Sequence, residues 1–415
     1  MTYNIDFVTF ADVTYIKMAD MKILKFLSCA FVMGMVLMVS GCGSGSGNGD
    51  CNSIKVIDLE EVFDKPRVEL KLSDLASDIE YFALNTGEGF LPDYTLMDLI
   101  AVEDGFFLVP MPLGDTPFFK FSPDGVLQSQ FSRIGRAEGE YVAPMGISYS
   151  EEKDAFIVVD FTGPVMVFSG AGEYLYSVPT EAFGNYGRIK NAFFMGDDIV
   201  FFGPTADNRK FCAITTDLSG QILKEKVIYD NSNNEPTGGP IRKVGESVNL
   251  WGEGLRIKSD WFADTILAFD GEELSAVYAF DYGKYVADEG KKKITIGGKN
   301  LESENFFIFQ TIMPPRYFDN LQPNERMNFI FFNRVSGESY RVEKDAANKP
   351  YMKNDLDGGA PFWPKTVSNG KMYQMIDAIE FIELAEKCSS EKMKAIAATL
   401  NENSNPVLVV AGLKK

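Results

Sequence analysis

The 415-residue sequence contains no histidine, and it has only three tryptophans and five widely spaced cysteines. The lack of histidine excludes Ser-His-Asp and Cys-His nucleophile pairs, imidazole general bases and histidine metal ligands. Residues 355–359 are similar to part of a calcium loop, but Lys353 and Pro364 stand where that loop needs oxygen ligands. We therefore expect neither a metal nor a cofactor.

Positive charge is also in short supply. The chain has 40 Lys and Arg residues against 59 Asp and Glu residues, so its formal net charge is −19. Proteins bind a nucleic-acid backbone through lysine and arginine, so this balance excludes nucleic acid as a partner. A hydrophobic content of 45% with 24% charged residues is typical of a folded globular protein.

The N-terminal region has the pattern of a secretion signal. A basic start at Met21 precedes the apolar run 26–39, which is too short to span a bilayer comfortably. The run ends at 39–42 (Val-Ser-Gly-Cys), which resembles the bacterial lipobox, whose cysteine is acylated. We predict a signal peptide over 1–41 and a lipid anchor on Cys42, with an uncleaved helix as the alternative.

Two details refine this prediction. Three aspartates lie upstream of Met21, where signal sequences avoid acids, so we expect translation to start at Met21, with Met18 as the alternative. The predicted tether 42–53 is rich in glycine and serine, and few acids follow Cys42. We expect an outer-membrane lipoprotein of the cell envelope that associates with the lipid membrane through acylated Cys42, with the periplasmic face favoured over the cell surface.

Short apolar runs recur at intervals of roughly 45–55 residues, each after a glycine or aspartate turn. A second class of runs follows each of them, and most of these end in a hairpin turn that contains glycine. The first class comprises residues 106–109, 155–160, 199–202, 255–257, 306–309 and 371–374.

Such a repeat predicts a six-bladed β-propeller over residues 54–415, with the first class as the inner strands. The alternatives are a large β-sandwich or two β domains. Residues 376–400 have the apolar spacing of a helix, with Ser390 as a cap, and predict a helical insertion in the sixth blade. A last strand near 405–410 then completes the blade, and residues 54–58 are a candidate for closing the ring.

Four segments carry a family resemblance: residues 79–85, 119–125, 134–141 and 405–409. In this order they resemble the six-bladed β-propeller lipoproteins of Gram-negative gut-type bacteria, which are akin to TolB-like and NHL propellers. The chain departs from the family pattern at Ala137 and Glu138, where Gly and Pro are usual. The resemblance implies architecture and location, and no common activity.

Loop residues supply the candidate ligand contacts. Exposed aromatic and charged side chains between blades are suited to sugar rings or to a protein partner, whereas the alternative is packing between blades. The candidates are Arg136, Glu138, Tyr141, Trp251, Arg316, Tyr317 and Trp363.

The sequence therefore predicts an envelope module that binds a ligand or a protein, with glycan as one ligand class. The alternative is a glycoside hydrolase or lyase that uses carboxylates, because the missing histidine leaves that chemistry open. A scaffold without a small ligand is a third interpretation. The acids alone do not single out a catalytic pair, since carboxylate separation decides the mechanism.

Overall fold

The computed structural model describes residues 54–414 except 88, 181–182, 188, 208, 231–245, 252–253, 260–263 and 287–291. Residues 54–415 make up one compact unit. The predicted signal peptide and Cys42 lie outside the described residues. Among the helices of the described ranges, none is long and apolar enough to cross a membrane.

The described chain begins with a short lead-in to the propeller. Asp58 caps the first helix, because its side chain accepts a hydrogen bond from the Glu61 backbone N–H at 2.9 Å. The lead-in elements are β1 (Lys55–Asp58), α1 (Leu59–Asp64), β2 (Leu70–Lys71), α2 (Leu72–Leu75) and β3 (Ala76–Ala83).

Six small antiparallel sheets follow, and the predicted six-bladed β-propeller is confirmed. Blade 1 consists of β4 (Met97–Val102), β5 (Gly105–Pro110), β6 (Phe118–Phe121) and β7 (Leu127–Phe131). Blade 2 consists of β8 (Pro144–Ser150), β9 (Ala155–Asp160), β10 (Val165–Ser169) and β11 (Tyr174–Val178). Blade 3 consists of β12 (Asn191–Met195), β13 (Asp198–Pro204), β14 (Lys210–Thr216) and β15 (Ile222–Asp230).

The second half of the ring is built in the same way. Blade 4 consists of β16 (Glu246–Trp251), β17 (Gly254–Ser259), β18 (Thr265–Phe269) and β19 (Leu274–Asp281). Blade 5 consists of β20 (Thr295–Glu302), β21 (Phe306–Ile312), β22 (Met327–Asn333) and β23 (Ser339–Arg341). The short strand β24 (Met352–Lys353) pairs with β2, and blade 6 contains β25 (Thr366–Ser368), β26 (Lys371–Ile376) and β27 (Val407–Leu413).

The described helices beyond the lead-in are few and short. They are α3 (Pro323–Arg326), α4 (Ala378–Lys387) and α5 (Glu391–Ala397), with single 3₁₀ turns at Tyr94–Leu96 and Gly283–Tyr285. The last two α-helices lie between β26 and β27, so the predicted insertion in blade 6 is confirmed. Ser390 caps α5 as predicted, since its side chain accepts a hydrogen bond from the Met393 backbone N–H at 3.1 Å.

The recurring apolar runs are the second strands of the blades, not the inner strands as the sequence analysis assumed. A second strand packs against a neighbouring blade on both of its faces. In β5, Phe106 and Leu108 contribute to the core between blades 6 and 1, while Phe107 and Val109 contribute to the core between blades 1 and 2. Burial on both faces explains why most of these runs are continuously apolar, with Arg256 in β17 and Gln374 in β26 as exceptions.

Six hydrophobic clusters occupy the six junctions between neighbouring blades, including the junction of blade 6 with blade 1. The ring is therefore closed by packing as well as by hydrogen bonds. Aromatic pairs dominate several junctions; Tyr278 of blade 4, for example, stacks on Phe307 of blade 5 with ring centroids 4.2 Å apart.

The strand that closes the ring is β3, not residues 54–58. β3 pairs antiparallel with β27 as the outer strand of blade 6, so that Tyr81 lies opposite Val409. The earlier segment forms β1, which pairs in parallel with β19 and adds a fifth strand to blade 4. Both segments are short and β-prone, and only the pairing partners distinguish their roles.

Candidate functional site

The blade topology gives the ring two chemically different ends. Hairpins from strand 1 to 2 and from strand 3 to 4 lie at one end, which we call the hairpin face. Connections from strand 2 to 3, and from strand 4 to the next blade, lie at the other end, which we call the loop face. Six of the seven candidates belong to loop-face connections, and Trp251 belongs to a hairpin.

The loop 132–143 joins blades 1 and 2 and holds three candidates. Arg136 and Glu138 are exposed, whereas Tyr141 is fully buried. The Tyr141 ring packs edge-on against Phe118 and Phe168, and burial raises the pKa of its phenol. The structure thus gives Tyr141 a packing position between the blades and leaves Arg136 and Glu138 open to solvent.

Two glycines explain the shape of this loop. A Cβ on Gly135 would lie 1.8 Å from the Glu140 carboxylate, which accepts a hydrogen bond from the Ala137 backbone N–H. Gly139 has a positive φ and lies against the ring of Tyr174. These two glycines therefore fix the course of the loop on either side of Ala137 and Glu138.

The remaining loop-face candidates belong to blade 5 and to the connection into blade 6. The Arg316 guanidinium lies 4.8 Å from the centroid of the neighbouring Tyr317 ring. Trp363 is half-buried and packs edge-on against Phe329, with centroids 5.4 Å apart. These residues share a face with Arg136 but belong to loops of different blades.

On the hairpin face, Trp251 is the last residue of β16 and pairs with Gly254 across the hairpin. Its side chain is outside the described part of the structure. The hairpin that carries it adjoins a large depression that the sequence analysis did not anticipate.

This depression, the hairpin-face cleft, has a volume of about 580 Å³ and is lined by blades 2, 3 and 4. Its apolar walls include Tyr149, Phe193 and Phe194, and its polar lining includes serines, acids and Arg256. A cavity of this size with aromatic walls and a few polar groups has the features of a small-molecule site. Tyr149, Phe193 and Phe194 lie near the ends of the first strands of blades 2 and 3, just before the hairpins. This recurrence of aromatic residues is the sequence pattern that could have predicted the cleft.

Arg256 is held at the cleft by a buried ionic cluster. Its Nε and Nη2 donate to the two carboxylate oxygens of Glu302 at 2.9 and 3.3 Å. The Glu302 side chain is only 1% exposed, and it also accepts from the Tyr278 hydroxyl at 2.8 Å and pairs with Arg334 at 3.2 Å. Two arginines share one carboxylate, so the cluster leaves net positive charge beside the cleft.

Three carboxylates also line the cleft, namely Glu151, Glu152 and Asp270. Asp270 accepts hydrogen bonds from the backbone N–H groups of Glu273 and Glu272, and these bonds lower the pKa of its carboxyl group. A general acid needs a raised pKa instead, so Asp270 is poorly suited to donate a proton to a leaving group. Its lowered pKa suits a hydrogen-bond acceptor.

The loop face carries an exposed apolar patch where blade 6 leads into blades 1 and 2. The loops that form it are tied together, because the Met111 N–H donates to the Leu96 carbonyl and the Leu113 N–H to the Pro144 carbonyl. Leu113 has a φ of 66°, which is strained for a leucine. This blade-1 apolar patch consists of Leu96, Met111, Leu113 and Val142, all of which are exposed.

The candidate calcium loop has a structural explanation. The Asp357 carboxylate accepts hydrogen bonds from Asn354, the Gly359 backbone and Ser390, and contacts the Tyr81 hydroxyl at 3.2 Å. Its oxygens are therefore already occupied by protein donors. Within the described ranges, no group of three or more acidic or cysteine side chains is arranged to hold a metal ion.

The fold and the two faces define a six-bladed β-propeller that presents one cleft-bearing end and one loop-rich end. A family model described as a domain of unknown function, DUF4934, matches residues 54–412. The chain belongs to this family. No curated protein sequence matches the chain.

One solved structure shows the same architecture. A protein of Bacteroides fragilis described as exported matches with a TM-score of 0.60 at 12% identity, covering 88% of this chain and 100% of its own. A DUF4221 family member of Bacteroides vulgatus matches with a TM-score of 0.42 at 15% identity, covering 84% and 99%. At such identities the first match shows the fold alone.

Proposed function

We propose that this chain is a lipid-anchored binding module of the bacterial cell envelope that holds a polar ligand, of glycan type, in the hairpin-face cleft. The observation that carries the proposal is the cleft itself. It combines aromatic walls with an arginine that is fixed in place by a buried carboxylate.

The cleft chemistry suits a sugar. Aromatic faces such as those of Tyr149 and Phe194 pack against the apolar face of a pyranose ring. The serines, acids and Arg256 that line the same cleft supply acceptors and donors for hydroxyl groups. Arg256 is already oriented by Glu302, so less side-chain entropy is lost when it binds a ligand.

Location rests on the N-terminal sequence. The basic start at Met21, the apolar run and Cys42 support export and acylation, and a structural neighbour is described as exported. Acyl chains attached at Cys42 would give stable membrane attachment. We place the protein in the outer membrane facing the periplasm, as a relative of the TolB-like and NHL propeller lipoproteins.

Metabolic labelling with radioactive palmitate tests the anchor. We expect label on the wild-type protein and none on Cys42→Ala. Equal labelling of both proteins would refute acylation at this residue.

A glycan array tests the ligand. We expect the wild-type protein to bind a defined subset of glycans, and Phe194→Ala to lose that binding because the cleft loses an aromatic wall. Arg316→Ala on the loop face is the control and should bind like the wild type. Absence of any hit, or equal binding by Phe194→Ala, would overturn the cleft as a glycan site.

The blade-1 apolar patch supports a second candidate function, the docking of an envelope protein. Exposed acids lie within a few residues of the patch members in sequence, namely Asp93, Asp115 and Glu138. This rim would repel its own copy, so the partner we expect has an apolar centre surrounded by lysine and arginine.

Site-specific photo-crosslinking in cells tests this docking. A benzoylphenylalanine at position 113 should give one discrete adduct. The same probe at position 223, an exposed leucine on the outer strand of blade 3, should not give that adduct. Identical crosslinking patterns from the two positions would remove the second candidate.

A further inference from the structure

Three cations converge at the loop-face end of blade 5. Arg67 belongs to the lead-in between α1 and β2, Arg341 ends β23, and Lys344 follows three residues later. Val68 forms a parallel bridge with Val342, which brings the lead-in alongside this edge of the blade. All three cationic side chains are half-buried. We call this group the blade-5 cation cluster.

Hydrogen bonds to neutral groups fix each member. Arg67 donates to the Val342 carbonyl at 3.3 Å and to the buried Asn328 side chain at 2.7 Å. Arg341 donates to the Lys65 carbonyl at 2.5 Å. The Lys344 ammonium donates to the Asn324 carbonyl at 2.7 Å and to the Met327 carbonyl. These bonds orient the charges but do not neutralise them.

Within the described residues, none of the three cations has a carboxylate at ion-pair distance. The Arg341 Nε is also buried without a hydrogen-bond partner there. Burial and the charge of Arg67 lower the pKa of Lys344 to about 8, against a weaker opposing effect of Glu325. Asp64 and Glu343 act on the charge of Arg341 without forming an ion pair, as Glu325 does on that of Lys344. Positive charge that is offset only in part is unusual in a chain with a net charge of −19.

Each cation keeps donors that the protein does not use. A guanidinium has five N–H donors and an ammonium has three, and the bonds above occupy only some of them. Two forked guanidinium groups and one ammonium match a multiply charged anion with several oxygens. A single carboxylate would offset one charge and leave two.

We propose that the blade-5 cation cluster is a binding site for a tetrahedral oxyanion, namely a phosphate or sulfate group. The site is separate from the hairpin-face cleft and does not rest on the proposed glycan function. A bound oxyanion would remove the repulsion among Arg67, Arg341 and Lys344 and would pin the lead-in to blade 5. The source is a free anion or an ester on a larger molecule.

Calorimetric titration of the full chain tests the site directly. Sodium sulfate and sodium phosphate, at constant ionic strength, should each give a saturable isotherm, while sodium chloride should not. Glucose 6-sulfate, glucose 6-phosphate and glucose distinguish the sources. Binding of the esters but not of glucose would show that the site accepts an ester, and binding of inorganic anions alone would assign a free anion. No saturable binding in any anion arm would overturn the proposal.

Substitutions locate the binding. Arg67→Gln should weaken it at least about tenfold, because one charge-assisted interaction is lost. Lys344→Arg keeps the charge and should retain binding. Lys349→Met is the matched control, since Lys349 is largely exposed and lies near Glu380. If Arg67→Gln binds like Lys349→Met, or fails to fold while Lys344→Met binds like the wild type, the anion lies elsewhere and the proposal is wrong.

Discussion

Glu302 shows how single residues set the character of the hairpin face. Its carboxylate lies between Arg256 and Arg334 and beneath the Tyr278 hydroxyl, so one buried acid connects blades 4 and 5. Burial, with the Glu302 carboxylate adding to its effect, raises the pKa of Tyr278 and keeps its phenol a neutral donor. The same acid fixes the arginine that lines the cleft, and it therefore links stability to the proposed binding.

Removing this acid should be costly. Glu302→Ala would leave two half-buried arginines without a carboxylate partner and should lower the free energy of unfolding by about 3–5 kcal/mol. Urea unfolding followed by circular dichroism measures the change. Glu304→Ala, at a nearby exposed position, should change it by less than about 0.5 kcal/mol. If both substitutions lowered the free energy of unfolding by the same small amount, the Glu302 carboxylate would not be stabilising the buried arginines.

Cys212 provides a second test at the residue scale. The residue is fully buried in β14, and burial raises the pKa of its thiol to about 12, with the Glu225 carboxylate adding to the effect. At pH 8 the thiol is therefore protonated and unreactive. Alkylation followed by peptide mapping should leave Cys212 unmodified in native protein and modify it in urea, while half-buried Cys388 reacts sooner. Rapid native labelling of Cys212 would contradict the buried position.

Among the elements, the two helices inside blade 6 are the largest departure from the repeat. They cover the closing strand, where Phe381 of α4 packs edge-on against Tyr81 of β3. Ser390 connects the helices to the network below, because it caps α5 and also donates to Asp357. The Ser390 hydroxyl is thus linked through Asp357 to Tyr81 of the strand that closes the ring.

Ser390→Ala tests this connection. Loss of the cap and of the bond to Asp357 should lower the free energy of unfolding by about 1–2 kcal/mol, measured by urea unfolding. Ser389→Ala is the control, since Ser389 is exposed and its hydroxyl makes one long hydrogen bond among the described residues, to the Gly358 carbonyl at 3.4 Å. An equal change in the free energy of unfolding for the two substitutions would mean that the Ser390 cap does not stabilise the fold.

At the scale of the whole molecule, stability depends on closing the ring. β27 pairs with β26 on one side and with β3 on the other, so it joins the two ends of the described chain within one blade. Six interblade cores depend on one another because each blade has two neighbours. Opening one blade exposes two strand edges as well as two apolar faces.

Truncation tests this closure. A chain that ends before residue 406 lacks β27 and should lose cooperative thermal unfolding and elute as aggregates in size-exclusion chromatography. A chain that lacks only residues 414–415 should behave like the wild type, because β27 ends at Leu413. A monomeric, cooperatively folded form of the first truncation would show that the ring does not need this strand.

Much of this fold follows from local patterns. Most second strands are apolar on both faces, so their signal is strong; β17 carries Arg256 and Lys258 on one face, but Leu255 and Ile257 still mark its position. Counting these signals, one per blade, predicts six blades. The turn glycines at 125, 172, 220, 271 and 337 adopt the positive φ that their predicted hairpins require. The cap at Ser390 and the helical insertion are local features of the same kind.

Which strands pair and which distant residues meet in one site are not encoded locally, and only the tertiary structure decides them. Residues 55–58 and 76–83 are both short β-prone segments, and their partners in blades 4 and 6 determine which one closes the ring. Among the candidate residues, Tyr141 proved to be buried because a neighbouring blade covers it. The hairpin-face cleft and the blade-5 cation cluster each bring together residues that are distant in sequence, such as Arg67 and Lys344.

The sequence alone determined the repeat, the predicted signal peptide with its lipidation site, and the net charge. Each of these depends on neighbouring residues or on composition. The ring closure and the sites were decided by tertiary packing, because they depend on which distant strands and loops meet.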